Sequence, residues 1–280
     1  MVDIHVIKGG LGNQMFQYAH YLARKARFPR GFSIFDTHNC RGAHQGFELN
    51  HLFHLSAFGL GWILNIENAV LFSKLRKYIW KRMHIYVEKL DWIYDESSVD
   101  IPKSCVFEGY WQTEKYFKGI ADVVRKEFQF DYHMLNQQSK EIVDEIKRCH
   151  SISLHIRRGD YLNIKGKDIS LSLDYYKRAI EYITEHVRTP MFFIFSDDPQ
   201  WVRDNFKVKN AMYVDWNCGK DSWQDMCLMS CCKHNIIANS TFSWWGAWLN
   251  ANPDKIVISP TWDGDMIPNE WIQLKNGQDE

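Results

Sequence analysis

Apolar residues recur along this chain in two rhythms, and the order of the rhythms predicts its architecture. Residues 5–8 form a short apolar run that reads as a strand. From Met15 onward, Phe16, Tyr18, Ala19, Leu22, Ala23 and Ala26 repeat at helical spacing. Between the two lies Gly9-Gly10-Leu11-Gly12-Asn13-Gln14, so the opening reads strand, glycine loop, helix, the start of a βαβ unit. A second strand is expected at 32–35. Residues 40–68 are mixed and turn-rich. In 71–86 the basic residues Lys74, Arg76, Lys77, Lys81 and Arg82 alternate with Leu75, Tyr78, Ile79 and Trp80, which predicts an amphipathic helix. Residues 107–112 read as a strand end and an aromatic loop, followed by a short helix from Glu114.

The second half is more regular. An amphipathic helix is expected at 136–149, with Ile142, Val143, Ile146 and Cys149 on one face, and a strand at 151–156. Ser172 caps a helix whose face is Tyr176, Ala179, Ile180 and Ile183. Strands follow at 191–195, 211–214, 235–238 and 256–259, alternating with helices up to 206, at 221–233 and at 241–250. Continuous apolar strands alternating with helices imply a parallel sheet covered on both faces, Rossmann-like, with at least four strands. The stretch 129–136 is the best junction. The expected domains are 1–135 and 136–261, with 262–280 as a tail that packs back on the first.

Composition narrows the class. The 280 residues are 45% hydrophobic and 24% charged, which excludes low-complexity disorder. The formal net charge of +0 offers no basic field to nucleic acid. No stretch of 18 apolar residues exists and the start is no signal peptide, so a cytoplasmic chain with reduced cysteines is expected. The basic 71–86 helix leaves peripheral attachment to an anionic membrane open, though an ordinary amphipathic helix is the preferred reading. His38, His44, His51 and His54 fit no compact zinc pattern. Asp263-Gly264-Asp265 resembles an acidic metal pair but reads as a turn. Aromatics reach 15%, with 12 Trp, partly core and partly suited to stacking on sugars or bases.

The candidate chemistry sits at strand ends, where open α/β sheets bind ligands. After the 151–156 strand comes His155-Ile156-Arg157-Arg158-Gly159-Asp160-Tyr161, and two guanidinium forks there suit a phosphate. The embedded Arg-Gly-Asp has too little specificity to read as an adhesion motif. Ser196-Asp197-Asp198 ends another strand; it suits a ribose or base, or simply a helix cap before Pro199. Asn239-Ser240-Thr241-Phe242-Ser243 opens a helix, where hydroxyls and free amides favour phosphate. The glycines at 9–12 let backbone approach an anion or form a plain tight turn; Asn13 and Gln14 add amides for sugar hydroxyls. With no Walker lysine and no metal cluster, these elements suggest a nucleotide diphosphate bound between two domains, its pyrophosphate neutralised by Arg157 and Arg158.

Three segments together, 9–19, 155–161 and Ser240-Thr241-Phe242-Ser243-Trp244-Trp245-Gly246-Ala247-Trp248-Leu249, resemble the bacterial alpha-1,2-fucosyltransferases of glycosyltransferase family 11, which also includes the blood-group H enzymes. The resemblance covers nearly the whole chain. It implies a GT-B fold of two facing Rossmann-like domains, an acceptor-side first domain and a donor-binding second. It implies GDP-β-L-fucose as donor, a terminal galactose as acceptor, inverting α1,2 transfer, no cofactor and no metal. Carried over by motif, Arg157 contacts the β-phosphate with His155 and Arg158 in support. Ser240, Thr241 and Ser243 hydrogen-bond the phosphates, Asn239 and Phe242 belong to the donor site with them, and Asp197 lies near the nucleoside. Gly12, Asn13, Gln14 and Tyr161 reach the sugars. Asp160 is the first choice for general base and Asp168 the second, with the orienting of Arg158 as the alternative for Asp160. A GDP-indifferent sugar-binding protein and an enzyme for another nucleotide sugar are the competing readings.

Overall fold

The computed structural model describes residues 1–40, 44–55, 78, 80–164 and 166–277. The chain divides into two compact units, Met1–Phe130 with Asp263–Pro268, and Asp131–Trp262 with Asn269–Glu280. The histidine-bearing stretch 38–54 falls partly, and the 71–86 basic segment mostly, outside the described residues.

Unit 1 is a four-stranded parallel sheet, β1 (Val2–Val6), β2 (Phe32–Asp36), β3 (His84–Val87) and β4 (Cys105–Glu108), in the order β2-β1-β4-β3. The strand expected at 5–8 therefore starts and ends earlier. Asp3 concealed its start: its charge reads as exposed, but it is buried against the buried Arg24 at 3.0 Å. Arg24 lies on helix α1 (Leu11–Arg27), so this pair ties α1 to β1. Helix α1 begins at Leu11, so Gly12, Asn13 and Gln14 form its first turn instead of the preceding loop. Its apolar face, with Met15, Phe16, Ala19 and Leu22, is buried. The helix expected to run to Tyr86 is corrected at its end: 84–87 is strand β3, because Ile85, Tyr86 and Val87 pair with β4, and long-range pairing outweighs local period. Helix α2 (Ala121–Glu127) follows two turns of 3₁₀ helix that begin at Glu114.

Unit 2 has six parallel strands in the order β10-β9-β8-β5-β6-β7. They are β5 (His150–Ile156), β6 (Pro190–Ser196), β7 (Ala211–Val214), β8 (His234–Ile236), β9 (Val257–Pro260) and β10 (Ile272–Leu274). The last was not legible, being three residues of mixed polarity after a Gly- and Pro-rich run. Helices α3 (Gln137–Arg148), α4 (Leu173–His186), α5 (Pro199–Asn205), α6 (Trp223–Cys231) and α7 (Thr241–Leu249) intervene. One sheet face buries Ile152, Leu154, Ile156, Phe192 and Ile194 against Tyr175, Tyr176, Ala179 and Ile183 of α4. Trp244, Trp245 and Trp248 of α7 are buried, and no Trp is among the exposed large hydrophobics of the described residues. The faces of these three are core and unavailable for stacking on a sugar, whereas Trp92, Trp201, Trp216 and Trp262 are half-buried.

The topology decides where each unit is open. In unit 2 the chain runs β5 to β6 to β7 in one direction, then returns to β8 and proceeds outward to β9 and β10. Strand order reverses between β5 and β8, and in such sheets ligands lie in the crevice beyond the carboxyl ends of the two strands at the reversal. In unit 1 the reversal lies between β1 and β4. Among the described residues, no helix is long and apolar enough to cross a membrane.

Candidate active site

The segments that follow β5 and β8 are 157–161 and 239–243, the two loops richest in phosphate chemistry. Arg157 is held between two carboxylates, its Nη2 at 2.7 Å from Asp160 Oδ1 and its Nη1 at 3.1 Å from Asp197 Oδ2. Asp197 also accepts the Arg158 amide at 2.8 Å. Asp197 approaches so closely because residue 159 is glycine: a Cβ there would stand 2.5 Å from Asp197 Oδ2. Arg158 turns elsewhere. Its Nε reaches Asp198 at 3.3 Å and its guanidinium stacks 3.6 Å over the Trp201 ring. The two arginines thus separate: Arg157 is held by Asp160 and Asp197, and Arg158 is anchored to the start of α5.

At the other loop Ser240 caps α7, its Oγ accepting the Phe242 amide at 3.3 Å. The first amides of a helix have no partner one turn back, so those of Thr241 and Ser243 remain as donors for an anion. Ser243 Oγ is spent internally: it donates to Ser240 O at 3.4 Å and accepts the Ala238 amide at 3.2 Å. Tyr161 donates to Asn239 O at 3.1 Å, which joins the two loops across the reversal point. Asn239 donates to Ile169 O at 2.8 Å, while its buried Oδ1, like Arg157 Nε and His155 Nδ1, has no protein partner. Buried polar atoms are normally paired, and a polar ligand would satisfy this group. Burial, helped by the Arg157 charge, lowers the His155 pKa to about 3, so the imidazole is neutral and adds no positive charge.

In unit 1 the reversal point is framed by the glycine turn after β1 and the aromatic turn after β4. Asn13 Oδ1 accepts from Gln112 Nε2 at 2.7 Å, and Gln112 Oε1 accepts from Trp92 Nε1 at 2.8 Å. Gln14 faces inward: its Nε2 donates to Gly9 O at 2.9 Å and Gly46 O at 2.7 Å, and its Oε1 accepts the Glu48 amide at 2.9 Å. Gly12 is buried within the first turn. Glu48 packs at the start of α1. Burial raises its carboxyl pKa to about 7, against the lowering effect of its bond from the Leu11 amide.

The sequence model of Glycosyl transferase family 11 matches residues 1–276. The chain belongs to glycosyltransferase family 11. The chain is 33% identical to the alpha-1,2-colitosyltransferase of Escherichia coli over 96% of its own length and 97% of that protein's. It is 32% identical to the O-antigen biosynthesis glycosyltransferase WbnK of Escherichia coli, covering 96% and 99%. It is 23% identical to galactoside alpha-(1,2)-fucosyltransferase 1 of Plecturocebus brunneus, covering 90% of this chain and 66% of that protein. Among solved structures it resembles POFUT1 in complex with GDP, with a TM-score of 0.51, 12% identity and coverage of 91% and 96%. It also resembles the fucosyltransferase NodZ from Bradyrhizobium, with a TM-score of 0.50, 11% identity and coverage of 88% and 91%. The fold class is GT-B, with two Rossmann-like units.

In this family 11 glycosyltransferase the residues read from the sequence gather into two groups. His155, Arg157, Asp160, Tyr161, Asp197, Asn239, Ser240 and Thr241 converge at the β5/β8 reversal of unit 2. Gly12, Asn13 and Gln14 lie at the β1/β4 reversal of unit 1, where Gln14 and Gly12 support the turn. Asp168 is folded onto Ser170, whose amide and hydroxyl it accepts at 2.8 and 2.6 Å. Asp160 pairs with Arg157 and not with Arg158. Three contributors were missed. Glu48 sits in a stretch without periodic signal. Gln112 and Trp92 are separated from Asn13 by 99 and 79 positions. The only signal for Gln112 was an amide closing the aromatic loop after β4. The Asp263-Gly264-Asp265 turn is also more than a turn, because Asp265 bonds Lys115, the Tyr94 and Trp92 backbone and Thr113.

Proposed function

We propose that this enzyme transfers L-fucose from GDP-β-L-fucose to the 2-hydroxyl of a terminal galactose, with inversion and without a metal. The single observation that carries the reading is the bracketed Arg157 at the β5/β8 reversal, beside the open amides of α7. As the sugar C1–O bond breaks, charge grows on the β-phosphate. Arg157, Thr241 and the Ser240 cap stabilise that oxygen, and preorganised donors of this kind each lower a barrier by roughly 3 kcal/mol. Unit 2 holds the donor, with Asn239 and Asp197 shaping its edge. Unit 1 contributes Asn13 to the sugars.

Inversion requires the attacking hydroxyl and the leaving phosphate on opposite faces of the sugar ring. A carboxylate 2.7 Å from Arg157 stands on the leaving-group side. We therefore assign Asp160, with Asp197, to orienting Arg157. Among the carboxylates of unit 1, Glu48 at the start of α1 is raised by burial to about 7, the proton affinity a general base needs at neutral pH. A second reading, transfer of colitose, is favoured by the 33% identical colitosyltransferase. Colitose differs from fucose by one missing hydroxyl, and a site that hydrogen-bonds that hydroxyl rejects the deoxy sugar.

The test is incubation with GDP-fucose or GDP-colitose, lactose and EDTA, with mass and linkage analysis. An α1,2-fucosylated lactose formed in EDTA supports the reading. Product from GDP-colitose alone moves it to the second. GDP bound as weakly as UDP or ADP overturns both.

A further inference from the structure

The turn that ends at Gln112 is held from every side. A Cβ at Gly109 would stand 2.6 Å from Glu88 Cβ and 2.8 Å from the Trp111 ring, so only glycine fits. Glu88 accepts the amides of Tyr110 at 2.6 Å and Trp111 at 3.0 Å. Trp111 and Trp92 both have left-handed backbone, φ 56 and 63, which is uncommon for bulky side chains and recurs at functional sites. The returning segment ties both flanks: Asp265 N donates to Trp92 O at 2.6 Å, and Thr113 Oγ1 donates to Asp265 O at 2.6 Å.

These constraints converge on the row Trp92–Gln112–Asn13, which crosses the β1/β4 reversal. Amide orientation is ordinarily ambiguous, because oxygen and nitrogen look alike. Here one end of the row removes the ambiguity. An indole N–H can only donate, so the Gln112 oxygen must face Trp92 and its nitrogen must face Asn13. The oxygen of Asn13 must then face Gln112. That contact is the only side-chain hydrogen bond of Asn13 among the described residues. What Asn13 has left to offer is its NH2.

We propose that Trp92 and Gln112 are positioning residues that fix the polarity of Asn13, so that it meets substrate as a hydrogen-bond donor to a sugar or phosphate oxygen. This rests on the reading that Asn13 touches substrate. It adds which end of the amide does so, and which residues decide it.

The test compares Q112A, Q112E, N13D and the Q112A/N13D double variant. A carboxylate at 112 accepts from Trp92 with one oxygen and presents only an acceptor to Asn13. Asn13 must then turn its NH2 inward and its oxygen outward, toward another oxygen. Leaving a polar pair mismatched in this way lowers kcat/KM on the order of 10- to 100-fold. Q112A leaves Asn13 free to choose and loses less, so Q112E falls below Q112A. A packing role gives the reverse order, since Glu keeps the shape of Gln and Ala empties it. In the Q112A/N13D double variant the two losses do not multiply, because a symmetric carboxylate at position 13 has no polarity for Gln112 to fix. A packing loss at position 112 would multiply with that of N13D. A KM rise confined to the acceptor sugar assigns the contacted oxygen to the acceptor, and one confined to the GDP-sugar assigns it to the donor. If N13D keeps wild-type kcat/KM, the underlying reading of Asn13 fails. If N13D is impaired while Q112E equals or exceeds Q112A, or the losses multiply, the polarity row is overturned and the reading of Asn13 stands.

Discussion

The substitution Gly159→Ala tests how Arg157 is held without touching the arginine. One methyl group is added, and it would stand 2.5 Å from Asp197 Oδ2 and 3.1 Å from Asp197 Cγ. No carbon tolerates that distance, so Asp197 must withdraw. Its two bonds are then lost together: the ion pair to Arg157 at 3.1 Å and the bond from the Arg158 amide at 2.8 Å. Hydrogen bonds to a charged group contribute about 1.5–3 kcal/mol each. Both partners of the ion pair are about one-quarter exposed, so solvent screens that bond and the lower end applies. At about 1.5 kcal/mol each, a combined loss of about 3 kcal/mol corresponds to roughly a 150-fold fall in kcat/KM. The same bonds belong to the fold, so Tm should fall by several degrees as well, while the buried strands β5 and β6 stay in place. The assay is steady-state transfer with GDP affinity measured separately. A cycle with Asp197→Ala isolates the cause: once the carboxylate is gone, the same methyl has nothing to displace and should cost almost nothing further. If Gly159→Ala is equally harmful in both backgrounds, Asp197 is not what residue 159 accommodates, and the bracket does not govern Arg157.

Two further outcomes follow from titrating groups. If Glu48 is the base, kcat/KM falls as pH drops below about 7, where its carboxyl protonates. Glu48→Gln should lower kcat by roughly 10²- to 10⁴-fold and abolish that limb, whereas an unchanged acid limb in the variant would remove Glu48 from the reaction. His155 is held neutral in the fold, with its pKa lowered from 6.5 to about 3. The unfolded chain therefore binds the extra proton between those values, and the stability this group confers is lost as pH falls from 6.5. Glu48 and Asp225 have raised pKa values and titrate in the opposite sense, so the decisive quantity is a difference between variants. Relative to His155→Gln, wild type should lose about 2 kcal/mol of unfolding free energy between pH 7 and pH 5. Parallel urea curves for the two proteins would mean that His155 is solvated or paired.

The unit 2 sheet was legible because its strands are continuous apolar runs, which only a doubly covered parallel sheet accommodates. The loops at 157–161 and 239–243 were legible because guanidinium, hydroxyl and glycine chemistry cluster at strand ends. Adjacent and chemically identical, Arg157 and Arg158 were told apart only by the family resemblance, which implied Arg157 for the β-phosphate; in the fold, Trp201 and Asp198 capture Arg158 and leave Arg157 to Asp160 and Asp197. Strand β1 was misplaced because a buried charge, Asp3, looks like a surface residue until Arg24 is known to meet it. Ser243 reads as a phosphate ligand from its position, yet its hydroxyl closes bonds within its own turn. Glu48, Gln112 and Trp92 carry no local pattern at all; they matter through pairings over long chain separations, which periodicity cannot register.

The segment 263–268 has a consequence for biosynthesis. It reaches unit 1 only after the chain has made β9, so unit 1 is complete only when nearly the whole polypeptide has been synthesised. A nascent chain ending near residue 130 lacks Asp265, and the backbone and side-chain groups of Trp92, Thr113 and Lys115 that it would bond are left to water. Most of unit 2, in contrast, is contiguous in sequence. During translation the turn at 109–113 and the row Trp92–Gln112–Asn13 should therefore be among the last parts of the enzyme to acquire their final form, after most of unit 2 has been synthesised.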